Sequence, residues 1–181
     1  MENRAGSLII ISGKVGAGKS SLVARLVSGF ADLGWQIRGV RSPAIFENGE
    51  KVGIAAIDLS TNVNKRLAGK NEKLSPLSDH PLIWRFDEEV LQWGNQVFAN
   101  AVPCDLLVVD EIGPLELERG QGWQKALPAL DSRQYHLAVL VMRPALLESA
   151  LSRWHWGEVV MVQNVSEIGV FAAQLLKRWT K

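Results

Sequence analysis

The residues best suited to chemistry lie in two short blocks. The first, Gly13-Lys14-Val15-Gly16-Ala17-Gly18-Lys19-Ser20, satisfies the pattern G-x-x-x-x-G-K-[ST]. Glycines at this spacing let the backbone curl until successive N–H groups point inward, which makes a cradle for phosphate oxygens. Lys19 adds a mobile ammonium for the terminal phosphates, and Ser20 adds a hydroxyl suited to a magnesium ion. Ser21 completes the run, 13–21, read as facing a nucleotide. The second block, Leu106-Leu107-Val108-Val109-Asp110-Glu111, ends an apolar stretch in two carboxylates. Asp110 suits the magnesium site, and Glu111 can orient and deprotonate an attacking water. A glutamate beside the magnesium aspartate favours water over a small acceptor as nucleophile, so the pair points to hydrolysis of a nucleoside triphosphate. Two other readings stay open at this level: a small-molecule kinase, and a nucleotide-driven switch with little turnover of its own.

Other residues add less. Charge that grows on a transferring phosphate needs a cation, and Arg143, directly after an apolar run, joins the catalytic set, with Arg85 and Lys14 as further candidates. Asn164 follows the last apolar run, where P-loop folds contact the base; capping the next loop is its other reading. His80, His136 and His155 stand apart from any ligand or nucleophile set and read as structural. The Asn64-Lys65-Arg66-Leu67 stretch lacks the aspartate with which guanine-selective proteins read their base, so a GTP-specific switch is not expected.

The blocks need elements to hold them. The β-branched run at 7–12 reads as a strand buried on both faces, and Leu22, Val23, Leu26, Val27, Phe30 and Leu33 recur at helical spacing until Gly34. A second strand is expected over 35–40, and further strands over 106–109, 136–142 and 159–162. Asp87 is placed to cap a helix that Pro103 ends, with Glu88 and Glu89 in its first turn. Helical patterns follow at 123–130 and 144–154, and Ser166 is read as the cap of a last helix. The Asn48-Gly49 pair predicts a hairpin within 43–60, expected to lie over the sheet. The polar stretch 61–81 is read as a mobile segment. Strands alternating with helices give an α/β protein with a mainly parallel, five-stranded core sheet between two helical layers, plus an added β-hairpin.

Composition narrows the remaining choices. The 181 residues, 47% hydrophobic and 22% charged, predict one folded domain spanning 1–181. Twenty basic and nineteen acidic residues leave a formal charge of +1. That gives no global field for nucleic acid or acidic membranes, so neither partner is expected, and an anion must be captured locally. One cysteine, Cys104, excludes an internal disulfide and a multi-cysteine zinc site, and a reducing cytoplasm is the expected compartment. The apolar run near the N-terminus is far too short to span a membrane.

Beyond the generic phosphate loop, Asp110-Glu111-Ile112-Gly113-Pro114-Leu115-Glu116-Leu117 resembles the D-E-I-G-x-M-E-L signature of the small P-loop nucleoside-triphosphatase family first described from thermophiles. Residues 47–59 are similar to that family's glycine-containing segment after the second strand, Leu67-Ala68 continues the likeness, and the resemblance spans about residues 8–117. It implies a RecA-like fold and slow magnesium-dependent hydrolysis of ATP, GTP and other nucleoside triphosphates. The family's phosphate loop falls on residues 13–20, its magnesium aspartate on Asp110, its water-activating glutamate on Glu111 and its second motif glutamate on Glu116. Ser42-Pro43-Ala44 stands where members carry Thr-x-Glu, Asn164-Val165 where they carry Asn-Arg, and Leu115 where they carry methionine. The first two departures bear on base contacts and substrate range.

Overall fold

The computed structural model describes residues 6–70 and 84–179. β1 (Ser7–Ser12) runs through the glycine turn into α1 (Lys19–Asp32), followed by β2 (Ile37–Arg41). Then come β3 (Ala44–Glu47), β4 (Glu50–Asp58), β5 (Asn64–Lys70), β6 (Trp84–Phe86) and α2 (Glu88–Ala99). The rest is β7 (Cys104–Ile112), α3 (Pro114–Leu117), α4 (Ala126–Ser132), β8 (Tyr135–Met142), α5 (Leu147–Arg153), β9 (Gly157–Met161) and α6 (Ile168–Trp179).

The described strands form one sheet in the order β6-β5-β4-β2-β7-β8-β1-β9, with β3 on β4. Five of them, β2, β7, β8, β1 and β9, are mutually parallel, so their C-terminal ends share one edge. β8 separates β1 from β7 and fixes the spacing between the phosphate loop and the acidic pair. Alternate strand residues feed two apolar layers, as the pleat requires. Ile9, Ile11, Val108 and Val139 pack with Leu22, Leu26 and Phe30 of α1 and Ala172 and Leu175 of α6. Ile10, Val40, Leu107 and Val109 pack on the other side with Phe98 of α2, Leu130 of α4 and Ala150 of α5. The three-layer architecture agrees with the sequence reading. None of the described helices is long and apolar enough to cross a membrane.

Three local expectations need correction. The hairpin forms, with Asn48 and Gly49 at φ 52 and 83 in its turn. It does not lie over the sheet; β4 instead extends the sheet antiparallel from β2, with Val40 opposite Asp58. The edge of β2 offers unpaired backbone groups, and pairing satisfies them better than stacking would. Within the stretch read as mobile, residues 64–70 form β5 on β4, with Leu67 and Ala68 both buried; its residues 71–81, including His80, lie outside the described residues. The cap near the last helix is Asn164 rather than Ser166: Asn164 Oδ1 accepts the Ser166 backbone N–H at 3.1 Å. Asparagine caps such a start because its short amide reaches back to the first free amides. Asp87 caps α2 as expected, accepting the Val90 N–H at 3.1 Å.

Candidate active site

Each parallel strand delivers a polar group to the shared edge: the 13–20 loop after β1, Ser42 after β2, Asp110 and Glu111 in the last turn of β7, Arg143 after β8 and Asn164 past β9. The crevice outside the carboxyl ends of strands is where ligands bind in open α/β sheets.

The loop takes its shape from glycine. Gly13, Gly16 and Gly18 have φ of 149, 80 and 100, a region that L side chains rarely adopt. A Cβ at Gly13 would also strike the Val162 carbonyl, so β9 closes the loop from outside. Gly18 is the N-cap of α1 without a side-chain cap, and the first turn of α1 holds no acid. Its first amides therefore stay open to an anion, and the helix dipole favours one there. Lys19 opens α1, and its Nζ donates to the Gly13 carbonyl at 2.7 Å and the Lys14 carbonyl at 2.9 Å. Lys14, Val15, Gly16, Ser20 and Ser21 are exposed, Gly18 is half-buried, and Ala17 is buried against the core.

Across β8, Asp110 is almost fully buried, at 3% exposure, and Glu111 is half-buried. Asp110 Oδ2 accepts the Ser42 N–H at 3.2 Å, an approach made by β2 lying beside β7. Burial pushes the Asp110 carboxyl up to about 6, with Glu111 adding to the rise; the Ser42 amide and the charges of Arg41 and Lys19 oppose it. Glu111 Oε1 accepts from Arg143 Nε at 2.9 Å, so the two residues read separately from the sequence form one pair. Ser12 Oγ, Arg41 Nε and Ser42 Oγ at this edge are buried without partners among the described residues, as are Arg38 Nε and the indole nitrogens of Trp156 and Trp179 elsewhere.

Glu116 serves the scaffold. Its Oε2 accepts the Gly113 N–H at 2.8 Å and its Oε1 the Trp123 N–H at 2.9 Å, so one buried carboxylate braces the loop behind β7. Burial raises its carboxyl, and the two amides hold it back. Arg85 is not brought to the site: β6 stands four strands from β7, about 19 Å at ordinary strand spacing. Cys104 is buried, and burial pushes its thiol up to about 12, so it is no nucleophile. His136 pairs with Asp105 at 3.3 Å and His155 lies edge-on to Trp156, both structural contacts. In the sequence Ser42 stands out only as a departure from the family pattern, and Arg41 not at all. The signal was their position at the end of the strand that neighbours the acidic block, visible only once strand order is known.

A buried carboxylate that must stay ionised weakens the fold. The native Asp110 holds its proton to about pH 6, while an unfolded aspartate releases it near 3.9. The native state therefore binds more protons between these values, and stability falls as pH rises from about 4 to 6 and stays reduced above. Asp110→Asn, which keeps an acceptor for the Ser42 amide, is expected to gain about 3 kcal/mol at pH 8, roughly 6–12 °C in Tm, and no more than about 0.5 kcal/mol at pH 4. Thermal unfolding at both pH values tests this; a gain of equal size at pH 4 would show that ionisation is not its source.

A sheet of this order, with a glycine cradle ahead of α1, defines a P-loop nucleotide-binding α/β protein of the RecA-like arrangement. Within that class the chain belongs to the NTPase family, which it matches over residues 8–167. It is 32% identical to nucleoside-triphosphatase THEP1 of Methanosarcina acetivorans over 137 residues, 73% of this chain and 74% of that protein. The THEP1 of Saccharolobus solfataricus is 28% identical over 65% and 66% of the two chains. The fold is similar to the solution structure of a human cancer-related nucleoside triphosphatase, with a TM-score of 0.70 and 17% identity over 97% of this chain and 100% of that one. The crystal structure of THEP1 from Aquifex aeolicus gives 0.59 and 16%, over 96% and 99%.

Proposed function

We propose that the protein is a cytoplasmic, magnesium-dependent nucleoside-triphosphatase that converts ATP, GTP and related triphosphates to diphosphate and phosphate. The observation that carries this reading is the acidic pair on the same strand edge as the 13–20 cradle, with Glu111 still reachable by water. Family membership and relatives named nucleoside-triphosphatases support the same reading.

In this mechanism the loop amides and the N-terminal end of α1 hold the phosphates, and Lys19 leaves the Gly13 and Lys14 carbonyls to bind the terminal group. The residues fit a hard oxygen-seeking ion: Ser20 and Asp110 offer oxygen donors, and no group of three His, Cys, Asp or Glu among the described residues forms a protein-only cage. Magnesium is commonly held in this way, by one or two protein oxygens and the substrate's phosphates. When bound, magnesium would neutralise phosphate charge. Glu111 orients the water and takes its proton. Asn164 and the exposed Val165 border the loop on the β9 side, where a base would rest, and the capping bond holds Asn164 there.

The test is magnesium-dependent phosphate release from purified protein with ATP, GTP, CTP and UTP in turn. Release from several of them is expected. Binding without release, with phosphate passed instead to an added metabolite, would make the protein a kinase.

A further inference from the structure

The nucleotide site proposed above contains a guanidinium nitrogen, Arg41 Nε, that is buried and has no hydrogen-bond partner among the described residues. Arg41 ends β2. The parallel register sets Val40 beside Val109, and therefore Arg41 beside Asp110. Val40 and Val109 both pack into the layer under α2, so the next residue on each strand turns to the opposite face, the one covered by α1 and the phosphate loop. There Arg41 makes no hydrogen bond or ion pair with any described residue, and its Nε is buried and unmet. Arg38, on the same strand, also has a buried Nε without a partner, but its guanidinium is anchored by Nη1, which donates to the Asn100 carbonyl at 3.0 Å; no such bond anchors Arg41 among the described residues. A guanidinium carries five donors in a rigid fork suited to phosphate oxygens, and leaving the buried Nε–H unmet beside a carboxylate is unfavourable unless a ligand completes the set.

We propose that Arg41 is a catalytic residue of the triphosphate site, donating to the terminal phosphate from the β2 side while Lys19 binds it from the loop. The reaction it assists balances simply. The water oxygen bonds to the γ-phosphorus as the bond from that phosphorus to the β,γ-bridging oxygen breaks. The electron pair leaves on the nucleoside diphosphate, and the water's proton passes to Glu111 and on to solvent. Arg41 takes no proton; it stabilises charge on the equatorial oxygens in transit. Ser42, next in the chain, meanwhile holds Asp110 through its amide, so one strand end serves both phosphate and carboxylate.

The proposal rests on the triphosphatase reading, and the experiment separates the two. Arg41→Met and Arg41→Lys are compared with wild type, using whichever nucleotide the wild type hydrolyses. The readouts are phosphate release, affinity for the diphosphate alone and with aluminium fluoride as a transition-state mimic, and thermal unfolding. Arg41→Met is expected to lower kcat about 10²–10³-fold and weaken the mimic by a similar factor. Diphosphate affinity should stay within about threefold, and Tm should be unchanged or higher because an unmet buried donor is gone. Arg41→Lys should recover part of the rate. Wild-type kcat and mimic affinity in Arg41→Met would overturn the role of Arg41 and leave the triphosphatase standing. Parallel losses of Tm, diphosphate affinity and rate would make Arg41 structural and overturn the proposal as well. A wild type that releases phosphate from no nucleotide would overturn both.

Discussion

Lys19→Ala is expected to lower phosphate release by about 10²–10³-fold, the usual loss when one preorganised donor to a transition-state oxyanion is removed. The free protein shows why the effect should fall on chemistry. The ammonium rests on two carbonyls of its own loop, Gly13 and Lys14, at 2.7 and 2.9 Å, and forms no ion pair with a carboxylate among the described residues. Nothing anchors it permanently, so a triphosphate can draw it away, and its charge becomes most useful as negative charge shifts between the γ-phosphate and the leaving diphosphate. The cradle itself is built from backbone, through the glycine conformations at 13, 16 and 18. Alanine is a good helix former at the start of α1, so Tm should change by only about 2–3 °C. Phosphate release and thermal unfolding, run on the same preparation, check both halves. Undiminished release would remove the triphosphatase reading altogether.

The sequence carried the phosphate loop and the five parallel strands because both are written locally. Gly13, Gly16 and Gly18 mark backbone conformations that other residues avoid, and the unbroken apolar runs of β1, β7 and β8 mark strands buried on both faces. What escaped depends on pairing between distant segments. The bond from the Ser42 amide to Asp110 spans 68 residues and exists only because β2 neighbours β7. The place of the β3–β4 hairpin was misread for the same reason: its Asn-Gly turn is legible, but the edge it joins is not. β5 was hidden because only Leu67 and Ala68 of its seven residues are buried, too few to show alternation amid Asn64, Lys65 and Arg66. Glu116 shows the converse limit. Resemblance marked it as a motif residue, and its two backbone bonds show a brace, which no spacing rule distinguishes from a catalytic carboxylate.

Glu111→Gln is expected to bind nucleotide within a few-fold of wild type and to lose turnover by about 10²–10⁴-fold, the range a positioned general base supplies. Glutamine keeps the length of the side chain and an oxygen able to accept from Arg143 Nε, now 2.9 Å from Glu111 Oε1. Orientation is therefore preserved while basicity is lost. The ion pair itself contributes little to stability, because Arg143 is 63% exposed and Glu111 33% exposed, so the variant should unfold close to wild type. Its place in the site explains the expected split. Asp110 is buried and committed to the Ser42 amide, whereas Glu111 has water access and a partner that can release it. Single-turnover phosphate release beside equilibrium nucleotide binding separates the two effects. Lost binding with an unchanged rate per bound nucleotide would move Glu111 from the water to the metal or the phosphates. Unchanged turnover would overturn the assignment of Glu111 as the base.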